Sequence, residues 1–130
     1  MIPPKNAVLF ECDLATFWLR DDGILCGIAK DAFRTLEKQK EVNRLIRKIS
    51  GGKRVCMLAD NTFSSSPIDK ETADFIAKEM PEIFKAMAVI SSSMIGKFIS
   101  NSFINEKSEP VPIKQFRDEK SALDWLKLFL

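Results

Sequence analysis

The chain has 130 residues, of which 45% are hydrophobic and 29% charged, and its formal net charge is +2. That length suits one domain, residues 1–130, with a core of its own, and so small a charge does not by itself point to nucleic acid. Histidine and tyrosine are both absent, which excludes Ser-His, Cys-His and His-metal chemistry within one chain and leaves Asp, Glu, Lys or Cys as the available acids and bases.

No window is apolar for long enough to span a membrane, and the opening MIPPKNAVLF lacks the basic and apolar regions of a signal peptide. Cys12, Cys26 and Cys56 are odd in number and show no C-x-x-C spacing, so they are expected to be reduced core thiols of a cytoplasmic protein.

The first third reads as strands. AVLFEC places Val8, Phe10 and Cys12 at period two, and ATFWL and ILCGIA flank RDDG. Asp22-Gly23 is a hairpin signal, since glycine supplies the positive φ of a tight turn. RTLEKQKEVNRLIRKIS reads as a helix with Val42, Leu45, Ile46 and Ile49 as its buried stripe, closed by Gly51-Gly52. KRVCMLAD is a short continuous apolar strand of the kind buried on both faces.

IDKETADFIAKEM is the next helix, with Ile68, Ala73, Phe75, Ile76 and Met80 as its apolar positions and Pro81 expected to interrupt or restart it. AMAVIS reads as a strand and SSMIGKFISNSFI as a helix; VPIKQF follows as a short strand. DEKSALDWLKLF is the last helix, with Asp118 as its N-cap. Strands followed by α-β-α-β-α-β-α alternation imply a mixed, partly parallel sheet carrying helices.

The hairpin FWLRDDGILCGI, the strand VCMLAD, the segment AVISSSMIGKFISNSF and the ending PIKQFRDEKSALDWLKLF together resemble the SpoIIAA-like, or STAS-like, family. More narrowly they are similar to its small stand-alone bacterial STAS/SEC14-like proteins. The ending carries most of the resemblance: Phe116 closes a strand, an acidic turn follows, and Ala122, Leu123, Trp125 and Leu126 sit on the terminal helix. The resemblance implies an α/β fold bordering on α+β, with a mixed four- to five-stranded sheet and about four helices mainly on one side. It also implies a binding or regulatory role rather than catalysis; no cofactor is expected, and the cysteine spacing and missing histidine leave no expected metal site. The STAS switch serine lies in an Asp-Ser-Ser-Gly motif at a helix start. Here Ser64-Ser65-Ser66-Pro67 occupies the comparable place, without the Asp before or the Gly after.

The loop Asp60, Asn61, Thr62, Ser64, Ser65 and Ser66 is therefore one candidate site, for a ligand or a phosphoserine switch. It lies at the carboxyl end of a strand, where open α/β sheets bind ligands. The alternative is a helix cap, with Ser66 at N-cap and Pro67 at N1. Met94, Ile95, Phe98, Ile99 and Phe103 form a second candidate, an apolar face for a partner or ligand, against the alternative of ordinary packing on the sheet. The basic run from Arg34 to Arg54 reads as a solvated face, since no aromatics interleave with its charges. Trp125 reads as a core anchor, and Trp18 as covering a sheet face or a subunit interface.

The resemblance thus implies a non-enzymatic regulator or adaptor that binds a protein partner or a small apolar or anionic ligand. A homodimer fits this reading; a nucleic acid partner does not. A SEC14-like carrier of lipid or another apolar ligand is the first alternative, and a small enzyme using Asp60 the second.

Overall fold

A computed structural model describes residues 1–63, 68–90 and 111–130. Six strands form one sheet in sequential order: β1 (Phe10–Glu11), β2 (Ala15–Leu19), β3 (Leu25–Ala29), β4 (Val55–Asp60), β5 (Phe84–Ile90) and β6 (Ile113–Phe116). β1, β2 and β3 are antiparallel, and β3 through β6 are parallel. The mixed sheet is as expected, but it has one strand more than the four to five anticipated. All six fall on segments read as strands from the sequence, β1 on only two residues of AVLFEC. The inward alternation expected for AVLFEC fails at Val8, which is 72% exposed.

The hairpin between β2 and β3 turns at Arg20–Gly23, where the Gly23 amide donates to the Arg20 carbonyl at 3.0 Å and Gly23 has φ +89°. Helix α1 (Leu36–Ser50) starts at Thr35, whose side chain accepts from the Lys38 amide, and stops at Gly51 in the left-handed region at φ 68°.

Helix α2 (Lys70–Ile83) begins one turn later than a Ser66 cap would place it. Its N-cap is Asp69, whose Oδ1 accepts from the Thr72 amide at 2.8 Å. The helix also runs through Pro81 to Ile83 instead of breaking there. Proline there removes the amide that would donate to the Ala77 carbonyl one turn earlier. Helix α3 (Glu119–Leu126) is capped by Asp118 as expected and continues as a 3-10 turn over Lys127–Phe129.

The sheet is covered on both faces. On one, α1 and α2 bring Val42, Ile46, Met80 and Ile83 onto Phe17, Leu25, Val55 and Met57. On the other, α3 brings Ala122 and Leu126 onto Trp18, Cys26, Cys56, Leu58, Ala86 and Ala88. Among the described residues the helices are therefore split two and one between the faces, which explains why every residue of β4 is buried.

Trp18, 3% exposed, covers the α3 face of the sheet and belongs to the core. Trp125 is only half-buried; its ring meets Phe116 and Phe129 at centroid distances of 5.7 and 4.9 Å, while Ala122 and Leu126 are the fully buried anchors of α3. At the start of β5 a bulge opposite Val55 and Cys56 lets Phe84 face α1 and α2 while Ala86 faces α3. Such an extra residue reverses which side chains reach each layer.

Candidate functional site

Among the described residues, the face under α1 and α2 is incompletely filled. The sheet presents small residues there, Ala15, Gly27, Ala29 and Ala59, and above them Val42 and Ile46 of α1 and Ile76, Met80 and Ile83 of α2 form the walls. The result is a pocket of about 120 Å³. Protein interiors hold few voids larger than a water molecule.

Gly27 is the clearest cause. A Cβ at this position would stand 2.7 Å from Met57 Cε and from Cδ1 and Cε1 of Phe17. The cross-strand partner Phe17 therefore lies over bare backbone. A glycine inside a strand is a frequent mark of such close approach.

One part of the wall is polar. Arg34, Gln39, Asn43, Asn61 and Glu79 line the pocket among the apolar groups. Gln39 and Asn43 stand one turn apart on α1 and are 6% and 5% exposed. Gln39 Nε2 donates to Asn43 Oδ1 at 3.0 Å, and Arg34 Nη1 donates to Gln39 Oε1. Glu79 accepts from Arg47 Nη1 at 2.9 Å and Nη2 at 3.1 Å. That forked pair lowers the Glu79 pKa, and Asn43 adds to the effect. Arg34 has no such partner among the described residues, and burial lowers its pKa.

The predicted loop residues divide at β4. Asn61 lines the pocket, whereas the carboxylate of Asp60 is buried and engaged elsewhere. Its Oδ2 lies 3.1 Å from the Met1 α-ammonium and its Oδ1 accepts from the Thr62 amide at 3.0 Å. Burial pushes the Asp60 pKa up, but the Thr62 hydrogen bonds and the Met1 ammonium together outweigh it and leave the value lowered. Thr62 is thus a partner of Asp60 at the strand end. Ser64, Ser65 and Ser66 lie outside the described residues, as do Met94, Ile95, Phe98, Ile99 and Phe103.

The basic run on α1 is largely a surface, as read from the sequence: Lys40 pairs with Glu37, and Arg47 joins Glu79 and Glu82 of α2. Arg34 departs from it by lining the pocket. Sequence reasoning missed Gln39, Asn43 and Glu79. Gln39 and Asn43 fall in line with Val42 and Ile46 on one helical face, and an amide pair at that spacing within an apolar stripe was the available signal. Among the described residues no group of three or more Cys, Asp or Glu is placed to hold a metal, and no helix is long and apolar enough to cross a membrane.

Comparison with known proteins agrees with this architecture. The crystal structure of an uncharacterized protein of the DUF3478 family with a SpoIIAA-like fold, from Shewanella loihica PV-4, matches at a TM-score of 0.61 and 19% identity, covering 97% of this chain and 99% of that one. The likeness shows the fold: this chain is SpoIIAA-like. No curated protein matches the sequence. The family model described as a domain of unknown function, DUF7793, matches residues 17–130. The chain belongs to that family.

Proposed function

We propose that this DUF7793 domain is a non-enzymatic binding protein of STAS-like type, regulatory in role, that takes a small, largely apolar ligand between its sheet and the α1–α2 layer. The pocket of about 120 Å³ carries this reading. An engineered apolar cavity of roughly 150 Å³ holds benzene, so the size suits a monocyclic or short-chain molecule better than a long acyl chain. A domain that leaves such a space open forgoes packing that a larger side chain at Ala59 would supply.

Two observations favour binding over catalysis. Arg34 stays protonated at neutral pH, and Glu79 is held ionised by Arg47, so neither is poised to exchange a proton there. Asp60, the carboxylate considered as a base, is occupied by Met1 and Thr62. The three cysteines are free thiols, which fits the reducing conditions of a cytoplasm.

The test is thermal unfolding of the protein with toluene or benzene. A ligand bound to the native state raises Tm with concentration by mass action. A Tm that does not rise up to the solubility limit of both probes would count against the reading.

A protein partner is the second reading. Phe33 and Phe63, 71% and 65% exposed, lie on the loops that follow the carboxyl ends of β3 and β4. They would serve as apolar anchors for a partner that reads the state of the pocket.

A further inference from the structure

We infer that the ligand is a small apolar carboxylate, its anionic head held by Arg34 and its apolar body lying over Ala29 and Ala59. This rests on the pocket reading above and adds the chemical class of the ligand.

The charges around the pocket support it. Along the polar strip, Gln39 uses its carbonyl oxygen for Arg34 and its amide nitrogen for Asn43. Asn43 in turn stabilises the ionised Glu79, whose two oxygens are taken by Arg47. The one carboxylate lining the pocket among the described residues is thus neutralised from outside, by α1, and does not neutralise Arg34. The strip ends at a guanidinium that has spent one donor on Gln39 and has no anion beside it among the described residues.

Partial burial disfavours the charged form of Arg34. A desolvated charge is costly unless paired, and a carboxylate would supply the pair. The planar fork of a guanidinium also matches a carboxylate with two parallel hydrogen bonds. A cation would be repelled, and a neutral hydrocarbon would fill the apolar space without pairing the charge.

The experiment compares benzoate with toluene, two probes of similar size, by NMR titration of wild-type protein, Arg34→Met and Arg34→Lys. We expect wild type to bind benzoate at least about tenfold more tightly than Arg34→Met does, with Arg34→Lys between them because it keeps the charge and loses the fork. Toluene binding by each protein establishes that it is folded with a pocket, and the readout is the ratio of benzoate to toluene affinity, expected to be at least about tenfold higher in wild type than in Arg34→Met. An equal ratio in wild type and Arg34→Met, with toluene bound by both, would overturn the carboxylate inference and leave the pocket reading standing. Failure of toluene to bind wild type would overturn the pocket reading, and the inference with it.

Discussion

The α-ammonium of Met1 and the carboxylate of Asp60 form an ion pair at 3.1 Å, with side chains 0% and 2% exposed, that joins the N-terminus to the end of a central strand. Asp60 follows Cys56 and Leu58 in the strand alternation, so the pair sits on the α3 side of the sheet, away from the pocket. Removing one member of a buried ion pair leaves the other uncompensated and costs ~3–5 kcal/mol. Asp60→Ala should lose stability of that order in urea denaturation while keeping toluene affinity in whatever fraction remains folded. A loss of affinity in the folded protein would place Asp60 in the binding site after all.

The same carboxylate and Glu79 make stability depend on pH. Both have folded pKa values below their ordinary ones: for Asp60 the hydrogen bonds and the ammonium outweigh burial, and for Glu79 the Arg47 hydrogen bonds dominate. Unfolded values are about 3.9 for Asp and 4.3 for Glu. Below those values the unfolded chain binds more protons than the folded one, so stability rises with pH in that range. It is complete above about pH 5 and is lost as pH falls through the depressed folded values. Urea titrations at stepped pH should show this decline, with a shallower slope in Asp60→Asn and in Glu79→Gln. Unchanged slopes in both variants would refute the assignment.

The three cysteines should react unequally. Burial pushes the Cys26 pKa up to about 12 and raises that of Cys56, whereas Cys12 is partly exposed. Thiolate is the reactive form, so a thiol reagent at neutral pH should modify Cys12 in native protein and the other two only on unfolding. Rapid native labelling of Cys26 would contradict the sheet packing described.

Gly27 controls the size of the pocket. In Gly27→Ala the new methyl meets Phe17 and Met57 at 2.7 Å, and one of them has to move into the open space. Overpacking of this kind costs ~1–3 kcal/mol, and here it should also weaken toluene binding. Calorimetry and titration of the variant check both effects. Affinity equal to that of wild type would show that the ligand lies elsewhere.

Much of the fold was legible because its signals are local. Asp22-Gly23 marks the hairpin, Gly51 stops α1, and Asp118 starts α3, each through chemistry confined to a few neighbouring residues. The errors arose at a cap, at a helix breaker and at a register shift. Pro81 stays helical in the last turn of α2, Asp69 caps α2 in the position Ser66 was expected to hold, and the β5 bulge places Phe84 and Ala86 on opposite faces. The pocket was harder still to read. It exists because Gly27 and Ala59, on adjacent strands but 32 positions apart in sequence, meet as a register pair beneath α1 and α2. Arg34 looked like one more charge in a basic run until α1 packed onto the sheet.

If this space receives a ligand, the methionine methyl groups report on it directly. Met57, Met80 and Met87 line the pocket, while Met1 packs on the opposite face and serves as an internal control. With 13C-labelled methionine methyls, a toluene titration followed by NMR should give saturable shifts at Met57, Met80 and Met87 and none at Met1. No shift at those three up to the solubility of toluene, or equal shifts at Met1, would contradict the account.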